Sequence, residues 1–171
     1  TDEAAEKFAE ENPWFSLVYP NVNSQNGQIN SGPIVGYVAL KDTATVNSYI
    51  NDIDFMNHFD SDIKFVYGFR PNDPTKKSFV LLALRKTGVN NTYIMDGGIV
   101  EDANQVMENG RVSVSMNMNS DGSKQWKEYT GKASEWKNDP RCIPDVKGKK
   151  TGKTIAIVLD GYAKSWPTVN E

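Results

Sequence analysis

Gly152-Lys153-Thr154 are the residue types that close a phosphate-binding loop, G-x-x-x-x-G-K-[ST]. That loop works because glycine-rich backbone N–H groups at a helix N-terminus point at phosphate oxygens. The first glycine of the pattern falls on Lys147, and the nearest glycine is Gly148. After Thr154 comes Ile155-Ala156-Ile157-Val158-Leu159, an apolar, β-branched run that reads as a strand. The stretch before it, with Pro140, Pro144 and several lysines, reads as a loop. The order is loop then strand, where a phosphate loop needs strand then helix, so "KGKKTGKTIAIVLDG" leads into a core strand.

Other chemistry is bounded by count. Cys142 is the one cysteine and His58 the one histidine. The chain therefore has no internal disulfide and no zinc site built from several Cys or His ligands. No nucleophile motif surrounds His58, which sits near the end of an expected helix, where a histidine meets the helix dipole. The acid pairs are also unpromising for catalysis. Asp52 and Asp54 lie two apart on an expected helix and do not face one another. Glu101 and Asp102 fall in the first turn of another expected helix, where acids favour the dipole. The reading is of a chain that is not an enzyme and holds no metal or cofactor.

The net charge of −3 lacks the basic balance of a nucleic-acid binder. No run of about 18 apolar residues is present to span a membrane. The chain starts at Thr1 without an initiator Met and stops in an extended segment at "TVNE", so it is expected to be a piece of a longer chain, and a membrane-bound parent stays open.

The elements that position these residues emerge from periodicity. Residues 1–12 read as a short acidic helix, with Ala4, Ala5, Phe8 and Ala9 on one face and Pro13 ending it. Residues 20–33 read as a loop. Ile34–Leu40 reads as a strand, then Asp42 or Thr43 caps a helix to about Phe59 whose inner face holds Val46, Tyr49, Ile50 and Ile53. Strands come next at Ile63–Phe69 and Ser78–Lys86, joined by the Pro71-Asn72-Asp73-Pro74 turn. This β-α-β-β order predicts an α+β fold with ferredoxin-like sandwich elements.

Further along, a short strand is expected at Thr92–Met95 and a helix over 100–108, with Val100, Ala103 and Val106–Met107 inward. Asn109-Gly110 reads as a turn. In "RVSVSMNM", Val112, Val114, Met116 and Met118 alternate with polar residues, giving a strand with one apolar face. Ser120 or Asp121 caps a helix whose stripe is Trp126, Tyr129, Ala133 and Trp136, read as core because no basic patch interleaves with it. Residues 137–152 read as a loop. The strand Ile155–Leu159, the Asp160-Gly161 turn and a last extended piece form a terminal β-hairpin.

Three separated blocks in that second half resemble the large extracytoplasmic segment of the SecD/SecDF family. Gly98, Val100 and Ala103 match the first block. Gly110, Arg111, Val114, Ser115, Gly122 and Trp126 match the second. Ala156, Ile157, Val158, Leu159, Asp160, Gly161, Ser165, Pro167 and Val169 match the third. Val112 stands where the family has proline, Ala163 where it has valine and Trp166 where it has alanine. The blocks divide the chain into an SecD-like head segment, 95–171, and an extra α+β segment, 1–94, similar to one in the long fused form.

The resemblance implies a module on the periplasmic side of the bacterial inner membrane, carried by a membrane-embedded parent. It implies partners: the Sec translocon channel, a SecF-type subunit and the unfolded secretory polypeptide, whose late export is driven by the proton motive force. Unfolded chain is bound through sheet edges or apolar grooves, modes that tolerate varied sequence. Tyr162, Trp166 and Val169 on the terminal hairpin are the expected polypeptide contacts. A spacer that docks partner subunits without touching substrate is the alternative.

Overall fold

The structure is a computed structural model describing residues 7, 10–69, 77–88, 90, 92–108, 110–140, 142, 148–150 and 152–169. The expected helix over 1–12 and the turn at 71–74 fall largely outside them. Among the described residues the fold is α+β, with a six-stranded sheet, a separate two-stranded ribbon and four α-helices.

The chain enters through helix α1 (Pro13–Leu17), where proline occupies the first turn, and strand β1 (Val18–Pro20). Residues 7, 10 and 11 are helical and Asn12 is not, so a helix ends before Pro13 as expected, and Pro13 itself opens the next one. Strand β2 (Ile34–Ala39), helices α2 (Thr43–Ile50) and α3 (Ile53–Met56), and strands β3 (Ile63–Gly68) and β4 (Ser78–Arg85) come next. The helix expected from Asp42 to Phe59 is two helices, because Asp52 leaves the helical conformation (φ −80°, ψ 131°) and recaps α3 by accepting the Phe55 N–H at 2.8 Å. β4 lies antiparallel between β2 and β3, so it inserts between the two parallel strands of the β2-α-β3 unit.

One face of this sheet carries Val38, Phe65 and Leu81, packed with Val18 and Val46 under the helices. Rings continue the core: Trp14 meets Phe55 at 4.8 Å and Phe65 at 5.9 Å between centroids. These offset and tilted contacts suit the ring quadrupole. The opposite face buries Val66, Leu82 and Ala163, flanked by Val80, Leu84, Val158 and Trp166. The almost continuous apolar run in β4 is explained by this arrangement, since a strand buried on both faces has no polar side.

The region after β4 departs from the sequence reading. No strand forms at Thr92–Met95. Residues 100–108, expected to be a helix, are strand β5 (Val100–Glu108), paired antiparallel with β6 (Arg111–Met118). Glu101 is an extra residue in that ladder, because Val100 faces Met118 and Asp102 faces Asn117. Helix α4 (Ser120–Glu135) is next, capped by neither Ser120 nor Asp121 but by Asn119, whose side chain accepts the Gly122 N–H at 2.8 Å. Its stripe is partly inward: Ala133 is buried, while Trp126, Tyr129 and Trp136 are half-buried.

The chain closes with β7 (Ile157–Leu159) and β8 (Tyr162–Ser165). β8 adds to the six-stranded sheet in parallel with β3, and β7 becomes its edge. Segments 1–94 and 95–171 are therefore joined through strand pairing.

Candidate functional site

Asp160 and Gly161 both have positive φ, 53° and 78°. Two successive left-handed residues make the tight turn whose twist matches a two-residue hairpin, and Asp-Gly is a preferred pair for it. The turn sets Leu159 opposite Tyr162 and delivers β8 to β3 with Tyr162 beside Tyr67 and Ala163 beside Gly68.

Alternation then separates the hairpin side chains. Tyr162 points to the helix-bearing face, where its ring lies 5.8 Å from Phe69 and 6.1 Å from Phe79. Tyr67 extends the group, 5.6 Å from Phe79. Lys164, two residues on, holds its Nζ 4.3 Å from the Phe69 centroid, a cation–π contact. Tyr162 keeps 37% of its surface exposed, so the cluster is open to solvent on that side. Burial, reinforced by the neighbouring Tyr162 hydroxyl, pushes the Tyr67 pKa up to about 12.

Trp166 turns the other way. It packs on the Val66–Leu82–Ala163 cluster, and its ring covers Gly68 so closely that a Cβ there would lie 2.8 Å from Cη2. Its remaining surface lines a shallow depression with Lys164, Ser165 and Pro167. Val169 is half-buried, and its N–H donates to the Lys153 carbonyl at 3.0 Å. The three expected contacts are thus spread over both faces and the end of one strand. Phe69, Phe79 and Lys164, which join Tyr162, were absent from the sequence reading. Phe79 lies on β4 and Phe69 directly after β3, and only the parallel β3–β8 register brings them near.

The Gly152-Lys153-Thr154 segment has a structural role in the same region. The Lys153 N–H donates to the Ala133 carbonyl at the end of α4, and Thr154 bridges Thr168. Gly152 is clamped: an added Cβ would meet the Val169 carbonyl oxygen at 1.9 Å and that of Ala133 at 2.8 Å. Lys153 Nζ lies 4.2 Å from the Trp136 centroid. Here glycine permits two backbones to approach, and the lysine covers an aromatic face.

The structure does not bring the two acid pairs together. Asp52 caps α3, and Glu101 and Asp102 lie at the β5 bulge rather than in a helix turn. Among the described residues no group of three or more His, Cys, Asp or Glu is placed to hold a metal ion, and no helix is long and apolar enough to cross a membrane.

The family described as "SecDF, P1 head subdomain" matches residues 77–171, from the start of β4 through the terminal hairpin. A relative named protein translocase subunit SecD, from Rhodothermus marinus, is 30% identical over 164 residues, covering 94% of this chain. The chain spans 22% of the length of that relative. No solved structure matches the chain.

Proposed function

The chain belongs to the SecD/SecDF family, and from that premise we propose that it is the extracytoplasmic domain of a translocation accessory that engages the unfolded polypeptide emerging from the Sec channel. In this reading it sits on the periplasmic face of the inner membrane, beside the channel and a SecF-type subunit. The proton motive force acts through membrane segments of the parent, and the domain supplies contact.

The open aromatic cluster at β8 carries the reading. Tyr162, backed by Phe69 and Phe79 and flanked by Lys164, offers an apolar, sequence-tolerant surface at the end of a sheet. Extended chain can lay side chains there without a defined motif. Trp166 adds the rim of the adjoining depression, and Val169 anchors the strand that holds it.

The test is a fluorescence or NMR titration of the 171-residue chain with a secretory precursor, once unfolded and once folded. The unfolded form binds saturably and the folded form does not. Tyr162→Ala weakens binding about tenfold, the scale of one aromatic contact of ~1.4 kcal/mol. Absence of binding by either form favours a spacer that docks partner subunits.

A further inference from the structure

The β5–β6 ribbon is paired with no other strand among the described residues. One face carries Val100, Ala103, Gln105 and Met107 opposite Met118, Met116, Val114 and Val112. This is the apolar face that the alternation in β6 announces, yet it is uncovered: Met107 is 68% exposed, Val112 63% and Val114 68%. At its root the face runs into a groove of about 580 Å³ lined by Glu101, Met116, Asn117, Met118, Ser123 and Trp126. The opposite face sets the half-buried Val106 among polar residues, Asp102, Asn104, Glu108, Arg111, Ser113 and Ser115.

We propose that this ribbon is a second polypeptide-binding surface, which takes an extended segment with apolar side chains at alternate positions and a basic residue at the end over the groove. The proposal rests on the polypeptide-engaging function. Among the described residues both outer edges of the ribbon are free of strand partners, so an extended chain can add to one through its backbone. The uncharged Val and Met face matches apolar side chains two apart. Methionine reshapes to fit varied partners, which suits an occupant without fixed sequence.

Charge selects the flank. Glu108 faces Arg111 across the ribbon, and Asp121 pairs with Lys124, 3.9 Å away. Glu101, exposed at the groove, pairs with no cation among the described residues, while Asp102 lies on the polar face and accepts from Asn104. The root of the lane therefore offers the Glu101 carboxylate, complementary to a lysine or arginine beside the apolar run.

The probe is a peptide of alternating Leu and Ser with a pair of lysines at one end, titrated into the 171-residue chain and followed by amide NMR. Shifts concentrate on residues 100–118. Val114→Thr with Met116→Thr, which places β-branched residues on the strand and leaves the sheet core untouched, weakens binding about tenfold or more. Glu101→Gln weakens it about threefold and flattens its salt dependence.

If unfolded precursor binds the chain but the double variant binds peptide as tightly as the parent, the ribbon proposal is overturned while the function stands. If neither precursor nor peptide binds, both fall. If the chain instead self-associates and the double variant abolishes that, a second copy covers the ribbon, which also overturns the proposal.

Discussion

At Gly152 one added methyl group separates a structural role from a ligand-binding one. Its Cβ would stand 1.9 Å from a carbonyl oxygen of the backbone, which has no rotamer to move. Gly152→Ala is expected to cost about 2–3 kcal/mol, measured by urea unfolding, the upper range for overpacking. Ala163 and Trp166 test a second point. Ala163 is fully buried against the cluster that Trp166 flanks, and each departs from its family pattern in the opposite direction of size. The two departures are then one exchange of volume. Ala163→Val alone costs about 1–3 kcal/mol and Trp166→Ala about 3–4 kcal/mol. The double variant, carrying the family's residues, is less destabilised than the sum by at least about 1 kcal/mol; strict additivity would contradict the exchange. Tyr67 gives a pH signature. Its folded pKa lies above the unfolded value of 10.0, so the folded state holds its proton longer. The stability is complete below pH 10 and is lost as pH rises toward about 12. Because the group is partly exposed, the loss is below about 2 kcal/mol. Tyr67→Phe removes that slope between pH 10 and about 12 in alkaline unfolding.

Among the elements, those with clean periodicity were legible. β2, β3, β4 and β6 appear within a residue or two of the expected positions, and the Asp160-Gly161 turn agrees with its residue types. β5 did not, for a definite reason. The extra residue Glu101 separates Val100 from Ala103 by three positions on the same face, which imitates helical spacing. The break at Asp52 was hidden because the apolar stripe runs through it; only its capping chemistry marks it. The contacts around Tyr162 were unreadable because they depend on a parallel pairing between strands far apart in sequence. An isolated two-stranded ribbon is marginal in water. Backbone amides of 100–118 are therefore expected to exchange on the order of a hundredfold faster than those of β3 and β4 in native-state hydrogen exchange. Equal protection would mean that the ribbon is packed in solution.

The whole molecule is a sheet whose last hairpin is held by its first half, with a ribbon that extends the second half beyond the sheet's own pairing. The parallel β3–β8 pairing couples the 1–94 and 95–171 segments, and the aromatic cluster forms at that junction from both. In the polypeptide-engaging account, the cluster and the ribbon are two weak contacts on one body, and together they retain a chain that either alone releases. On that account, placing a photo-crosslinking residue at position 162, and separately at 114, in the proposed full-length protein tests this during export of a precursor halted part-way. The account predicts adducts to the precursor from both positions, lost when export is allowed to finish. Adducts confined to the parent and its Sec partners would contradict it.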